Sequence, residues 1–173
     1  MKSKFFRFLS LAVVVAMMTP ALINAQPGKT NFTGSWAFNQ SKSDMGQPGG
    51  GPGGGRMGGG NMTVKQEANL LTVERTRQGQ DGQTTTITEK YTLDGKESVN
   101  TNTRGESKSI VTWSSDGKSI TISTTRTVNF NGETREMKST AVWSLTDANT
   151  LTVTTSMSTP NGDRTTKMVY DKK

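Results

Sequence analysis

Apolar and polar residues alternate along most of the chain after residue 31, which is the pattern of a β-strand with one buried face. Residues 118–130 show it clearly, with Ile120 and Ile122 at one parity and Thr121 and Ser123 at the other. From residue 61 onward the apolar residues show no helical period. The pattern therefore predicts an all-β domain.

Short turn sequences separate the alternating runs. Asn131-Gly132 and Asn161-Gly162 lie thirty residues apart, and Asp116-Gly117 divides an earlier pair of runs. Asn-Gly and Asp-Gly favour two-residue hairpin turns because the central residues of these turns adopt positive φ. A hairpin layout that recurs along the chain predicts consecutive antiparallel strands in one sheet.

We predict ten strands, A to J, joined in order as an antiparallel up-and-down meander. They cover residues 32–38, 62–67, 70–78, 83–92, 97–101, 107–115, 118–130, 133–145, 149–158 and 163–171. A meander of eight to ten strands favours a closed β-barrel, because closure removes exposed strand edges. A two-sheet sandwich is the alternative, since both architectures alternate in the same way. Pairing of strand J with strand A distinguishes the barrel.

Two segments depart from the alternation. Residues 1–25 have three basic residues, an apolar run of eleven residues and a small residue at Ala25, which is the layout of a secretory signal peptide. The run is too short to span a bilayer. Residues 46–60 contain ten glycines and would form a flexible loop, because they bury too little surface to offset the entropy lost on ordering. We therefore expect an exported, periplasmic or extracellular protein whose single domain covers residues 26–173.

The composition removes several kinds of chemistry. The chain has no His and no Cys, which excludes His- and Cys-based catalysis, histidine-ligated zinc and disulfides. Without residues 1–25 it loses three of its 21 basic residues and none of its 14 acidic ones, which leaves a scattered net charge of +4. That charge does not form a nucleic-acid-binding stripe. We expect no enzymatic activity, cofactor, metal or nucleic-acid partner, and no stable membrane insertion after signal cleavage.

The inward parity of the strands gives a candidate ligand site. In a meander the connections alternate between the two barrel ends, so the aromatic residues gather toward one end and the arginines toward the other, where the Gly-rich loop lies. The candidate ligand-binding residues are Arg75, Arg77, Arg126, Arg164, Trp113, Trp143, Phe130 and Tyr91. Guanidinium groups removed from water need an anion and match carboxylates at two points. Alternatively, Glu89 and Glu133 share the inward parity and neutralise the arginines, and the aromatics are plain core.

The segment Phe32-x-Gly34-x-Trp36-x-Phe38 resembles the first-strand motif of the calycins, the superfamily of lipocalins and fatty-acid-binding proteins. The wider layout looks like small secreted bacterial lipocalin-like proteins. The resemblance implies a barrel with Gly-x-Trp at its closed end and the A–B connection over its mouth. Met168 stands where fatty-acid-binding proteins carry the Arg of a last-strand Arg-x-Tyr motif, so ligand identity does not carry over.

These observations give two hypotheses of function. The first is an exported, non-enzymatic lipocalin-like barrel that binds a small, largely apolar ligand, which the arginines would allow to be anionic. The alternative is an envelope or extracellular interaction protein with a filled core, no small-molecule ligand and an unidentified protein partner. Empty volume inside the barrel favours the first. Trp113 and Trp143 meeting across a filled centre favours the second.

Overall fold

The computed structural model describes residues 28–46, 60–78, 83–102, 105–130, 133–159 and 162–173, with the side chains at 77, 78, 129, 130, 133 and 159 excepted. These residues form ten antiparallel strands. The strands are β1 Gly34–Asp44, β2 Met62–Gln66, β3 Leu70–Gln78, β4 Thr84–Thr92, β5 Glu97–Asn102, β6 Gly105–Trp113, β7 Ser119–Phe130, β8 Glu133–Asp147, β9 Thr150–Thr159 and β10 Gly162–Lys172. The predicted signal peptide and nearly all of the Gly-rich segment lie outside the described residues.

The strands form one sheet that curls into a nearly closed barrel. Their order is β4-β3-β2-β1-β10-β9-β8-β7-β6-β5, so every chain neighbour except β4 and β5 is a ladder neighbour, and the last strand joins the first. Trp36 lies opposite Lys172 and Phe38 opposite Tyr170 in the β1–β10 ladder. This pairing confirms the predicted up-and-down barrel. Among the described residues no helix is long and apolar enough to cross a membrane.

The predicted end of the first strand is wrong. Strand β1 runs on to Asp44, where the prediction ended it at Phe38. The register with β10 shifts between Asn39 and Asp44, which indicates a bulge, and Asp44 then faces Lys167. The hydroxyl of Ser43 accepts a hydrogen bond of 2.9 Å from the backbone N–H of Val169. The polar run therefore continues the strand because a side chain supplies the ladder bond at the bulge.

Strands β4 and β5 lie side by side without a backbone ladder between them. Among the described residues, β4 pairs with β3 and β5 pairs with β6. Side chains of β5 join them. The Asn100 amide accepts from the backbone N–H of Lys90 at 2.8 Å and donates to its carbonyl at 2.9 Å. The Ser98 hydroxyl accepts from the backbone N–H of Thr92 at 2.8 Å. We call this contact the β4–β5 seam.

Aromatic packing fills one end of the barrel, where the turns at 67–69, 93–96, 114–118 and 148–149 lie. Phe32 has no exposed surface, and its ring lies 6.1 Å from that of Trp113 and 6.2 Å from that of Trp143. Its N–H donates to the buried Gln66 amide at 2.9 Å, and its carbonyl accepts from the Trp36 indole at 3.0 Å. Residues 28–33 therefore close this end, which we call the closed end.

Gly117 allows the N-terminal segment to cross the closed end. The carbonyl of Gly117 accepts a 2.9 Å hydrogen bond from the N–H of Thr30. A Cβ at position 117 would lie 2.4 Å from the carbonyl oxygen of Gly28, and the residue has φ of +67°. The glycine of this Asp-Gly turn is therefore required both by its backbone conformation and by close passage of the chain.

Candidate functional site: the open half of the barrel

The opposite end of the barrel remains accessible from outside. Met137 points inward with the same parity as buried Trp143, yet it is 37% exposed. Arg164 shares the inward parity of buried Tyr170 and is also exposed. Inward side chains near this end therefore face space that solvent reaches, and we call this region the open half.

Arg126 is the charged group of the open half with unmet hydrogen-bonding capacity. It follows Ile122 and Thr124 at the inward parity of β7, and it lies between Ser107 on β6 and Met137 on β8. Its Nε is buried and makes no hydrogen bond to any described residue. Burying such a donor without a partner costs free energy unless a ligand or water meets it. The Nε–H of Arg126 can therefore donate a hydrogen bond to an acceptor placed inside the barrel.

Arg75 lies deeper and is already paired. Its guanidinium forms an ion pair with the carboxylate of Glu89 on β4, and it lies 5.9 Å from the centre of the Trp143 ring. The two side chains are 26% and 15% exposed. The predicted neutralisation of an inward arginine by Glu89 therefore occurs in the structure.

Tyr91 completes this polar group. Burial, followed by the negative charge of Glu89, raises the pKa of Tyr91 well above its usual value, so the phenol stays protonated. Burial alone would lower the pKa of Arg75, but the charge of Glu89, with Tyr91 and Tyr170, outweighs it and raises that pKa. The group is therefore a fixed ion pair with a neutral phenol, and it has little capacity left for an anion.

The structure separates the other predicted site residues. Arg164 is exposed, and a Cβ at Gly46, where the Gly-rich segment begins, would lie 3.9 Å from its Nε. Trp113 contacts Phe32 at the closed end, with the ammonium of Lys29 5.0 Å from its ring centre. The side chains of Arg77 and Phe130 lie outside the described residues. Arg75, Tyr91 and Trp143 come together, whereas Arg126, on β7, forms no hydrogen bond, ion pair or ring contact with any of them among the described residues.

The barrel resembles that of a bile acid-binding protein. The solved structure is that of zebrafish ileal bile acid-binding protein complexed with cholic acid, with a TM-score of 0.54 and 18% sequence identity. The match covers 82% of this chain and 98% of that one. No family model and no curated protein sequence matches the chain. The likeness shows a shared fold, a calycin-type barrel.

A row of hydroxyl groups crosses the interior of this calycin-type barrel, and parity analysis of the apolar residues missed it. It consists of Ser109, Thr124, Ser139, Thr155 and Thr166, on β6 to β10. Ser109 faces Thr124, Thr124 faces Ser139, and Thr155 faces Thr166. Each shares the parity of a core residue on its own strand, so the sequence contained the signal. We call these five residues the hydroxyl row.

In the described part of the chain, no three Asp, Glu, His or Cys side chains lie close enough together to hold a metal ion. A groove of about 140 Å³ opens in the barrel wall beside β2. Its lining includes the outward-facing Ser35, Thr63 and Lys173, so it is separate from the open half.

Proposed function

We propose that this chain is an exported, non-enzymatic binding protein whose open half holds a small, largely apolar ligand with an anionic group. The observation that carries the proposal is the buried, unpartnered Nε of Arg126. A carboxylate, sulfonate or phosphate placed there would accept a charge-assisted hydrogen bond, which is stronger than a bond between neutral groups. Arg75 contributes less, because Glu89 already occupies it.

The side chains near Arg126 favour an apolar body for the ligand. Val128 follows it at the same parity of β7, and Met137 and Met157 lie on the next two strands. All are partly buried or exposed rather than sealed in the core. Methionine side chains are flexible and polarisable, so they adapt their packing to an inserted molecule. Such a lining suits a hydrophobic skeleton with one charged end.

The filled closed end limits the size and position of the ligand. Phe32 contacts both Trp113 and Trp143, so these aromatic rings form a floor rather than a deep pocket. A ligand would rest above this floor. The similar barrel of the bile acid-binding protein, solved with cholic acid, supports a small molecule as the occupant.

The proposal is tested by titrating the purified protein with a fluorescent fatty-acid probe and with its uncharged methyl ester. Replacing Arg126→Met should weaken the acid by about 1.5–3 kcal/mol, the range for a hydrogen bond to a charged group, and leave the ester unchanged. Lys138→Met is the matched control, since it removes an equal charge from an exposed position of β8. Absence of acid binding to the parent protein, together with a ligand-free mass in native mass spectrometry of protein from its own host, would reject the proposal.

The export part of the proposal rests on the layout of residues 1–25. N-terminal sequencing of the protein recovered from its host should begin at Gln26, in a periplasmic or extracellular fraction. A chain that begins at Met1 in a membrane fraction would contradict export.

A further inference from the structure

Met137 is the most accessible methionine in the part of the chain that the structure describes. Its side chain is 37% exposed, whereas Met62 is 3% exposed. The other described methionines are partly buried: Met45, Met157 and Met168. The sulfur of Met168 also accepts a 3.5 Å hydrogen bond from the Tyr170 hydroxyl. An oxidant that enters the open half therefore meets the thioether of Met137 before the others.

Arg126 lies beside Met137 inside the barrel. The two residues are directly opposite each other in the β7–β8 ladder, and both have inward parity. The Cβ atoms of such partners are about 4.5–5.5 Å apart, which is within reach of two long side chains. The Nε of Arg126 is buried and makes no hydrogen bond to any described residue. An oxygen atom added to the sulfur of Met137 can therefore meet an unused hydrogen-bond donor.

We propose that Met137 is an oxidation site that controls anion binding at Arg126, with a hydroperoxide as the oxidant. The sulfur donates an electron pair to one peroxide oxygen, and the O–O bond breaks. The proton of the transferred hydroxyl passes to the departing oxygen, which leaves as water or an alcohol. The sulfur loses two electrons and the peroxide gains them, which gives methionine sulfoxide. The sulfoxide oxygen then accepts the hydrogen bond of the Arg126 Nε–H.

Oxidation of Met137 opposes ligand binding in two ways. The sulfoxide occupies the donor of Arg126, so the anionic group of a ligand has to displace it. It also puts a polar group into a lining that is otherwise flexible and apolar. This inference rests on the proposed function, because it concerns regulation of the same site. The modification is reversible, since methionine sulfoxide reductases restore the thioether.

The contact between the sulfoxide and Arg126 is tested without any ligand. The protein is labelled with ¹⁵N in its arginine side chains and treated with hydrogen peroxide, and peptide mass mapping locates the added oxygen. The Nε–H resonance of Arg126 should shift when Met137 is oxidised and return after reductase treatment. Met137→Leu should abolish the shift, and Met168→Leu, the matched control, should retain it. An unmoved resonance in protein oxidised at Met137 overturns the inference, and this comparison holds even if a variant fails to fold.

The effect on binding is measured with the fluorescent fatty acid and its methyl ester, and each protein is compared with its own unoxidised form. Oxidation of the parent protein should weaken the acid about tenfold or more, the effect of a lost hydrogen bond to a charged group, and the ester less. Met137→Leu should lose no affinity for the acid on oxidation, whereas Met168→Leu should behave like the parent.

Two results separate failure of this inference from failure of the proposed function. If the unoxidised protein binds the acid and oxidation of Met137 leaves that affinity unchanged, the control of binding is rejected while the proposed function stands. If the unoxidised protein binds no acid although the Arg126 resonance shifts on oxidation, the proposed function is rejected, and control of binding by Met137 is rejected with it.

Discussion

The closed end and the open half are formed by the same strands, but they differ in burial and in hydrogen bonding. At the closed end, Phe32 is fully buried, and Gln66 bonds both the N–H of Phe32 and the carbonyl of Thr30. In the open half, the Nε of Arg126 has no described partner and Met137 is 37% exposed. The closed end is therefore the more tightly packed of the two, although the Nε1 of Trp113 there is also buried without a described partner. The other end keeps polar and apolar groups that the fold itself does not use.

The largest expected effect comes from the closed end. Phe32→Ala should lower the free energy of unfolding by about 3–5 kcal/mol, because it removes a buried ring and leaves a cavity between two tryptophans. Phe38→Ala is the matched control and should cost less than half as much, since Phe38 is only partly buried. Urea denaturation followed by tryptophan fluorescence measures both values. Equal losses would break the comparison of the two ends.

Substitutions in the Arg75–Glu89 pair measure how much this ion pair contributes to the free energy of unfolding. Glu89→Gln should cost about 1–3 kcal/mol, because it leaves the guanidinium of Arg75 without its carboxylate. The lower part of that range is expected, since solvent reaches both side chains and screens the pair.

A double-mutant cycle isolates the pair itself. Arg75→Met combined with Glu89→Leu should cost less than the sum of the two single substitutions, because no unpaired charge remains. Additive losses in urea denaturation would show that the two side chains contribute independently. In that case the interaction between Arg75 and Glu89 would add nothing to the stability of the fold.

The β4–β5 seam should open more readily than the backbone ladders. Asn100→Ala removes both side-chain bonds to Lys90 and should destabilise the seam by about 1–2 kcal/mol. Hydrogen exchange detected by NMR should show that the backbone amide of Lys90 exchanges at least about tenfold faster in this variant than in the parent protein. Thr101→Ala, at an exposed neighbouring position, is the control. An unchanged Lys90 amide in the Asn100 variant would mean that β4 and β5 are joined by other contacts.

The smallest effect concerns a turn at the closed end. Hydrogen bonds from the Lys96 side chain and backbone lower the pKa of Asp94 to about 2. The carboxylate therefore contributes stability above the unfolded-state pKa of about 3.8, and the contribution is lost as the pH falls toward 2. NMR titration should give a midpoint near 2 for the Asp94 carboxyl, and Lys96→Met should shift it upward. A midpoint near 3.8 in the parent protein would show that the hydrogen bonds from Lys96 do not stabilise the ionised Asp94 carboxylate.

Much of the barrel could be predicted from the sequence, because period-two alternation and Asn-Gly or Asp-Gly turns act locally. Strand β3 was predicted with its observed bounds, and the β10–β1 pairing was confirmed. The role of Phe32 was not predicted, because the sequence placed it at the start of strand A. In the structure it precedes β1, and its position depends on contacts with Gln66 and two distant tryptophans.

The candidate site was less predictable than the fold. Parity indicated that Arg75 and Arg126 point inward, but it could not show that Glu89 binds one and leaves the other free, because that depends on the register of β3 with β4. Similarly, the Asn100 contact replaces a backbone ladder with a side chain, and alternation carries no signal for such a replacement. The ligand-binding roles of the eight predicted residues stay predictions.

Labelling the arginine side chains with ¹⁵N and titrating a carboxylate ligand tests the central claim most directly. The Nε–H resonance of Arg126 should move with ligand concentration, together with the backbone amides of Thr124 and Ser139. The indole N–H of Trp36 at the closed end should stay in place. If the ligand shifts only outer-face residues such as Lys138, or leaves the Arg126 resonance unmoved at saturation, then the open half is not the binding site.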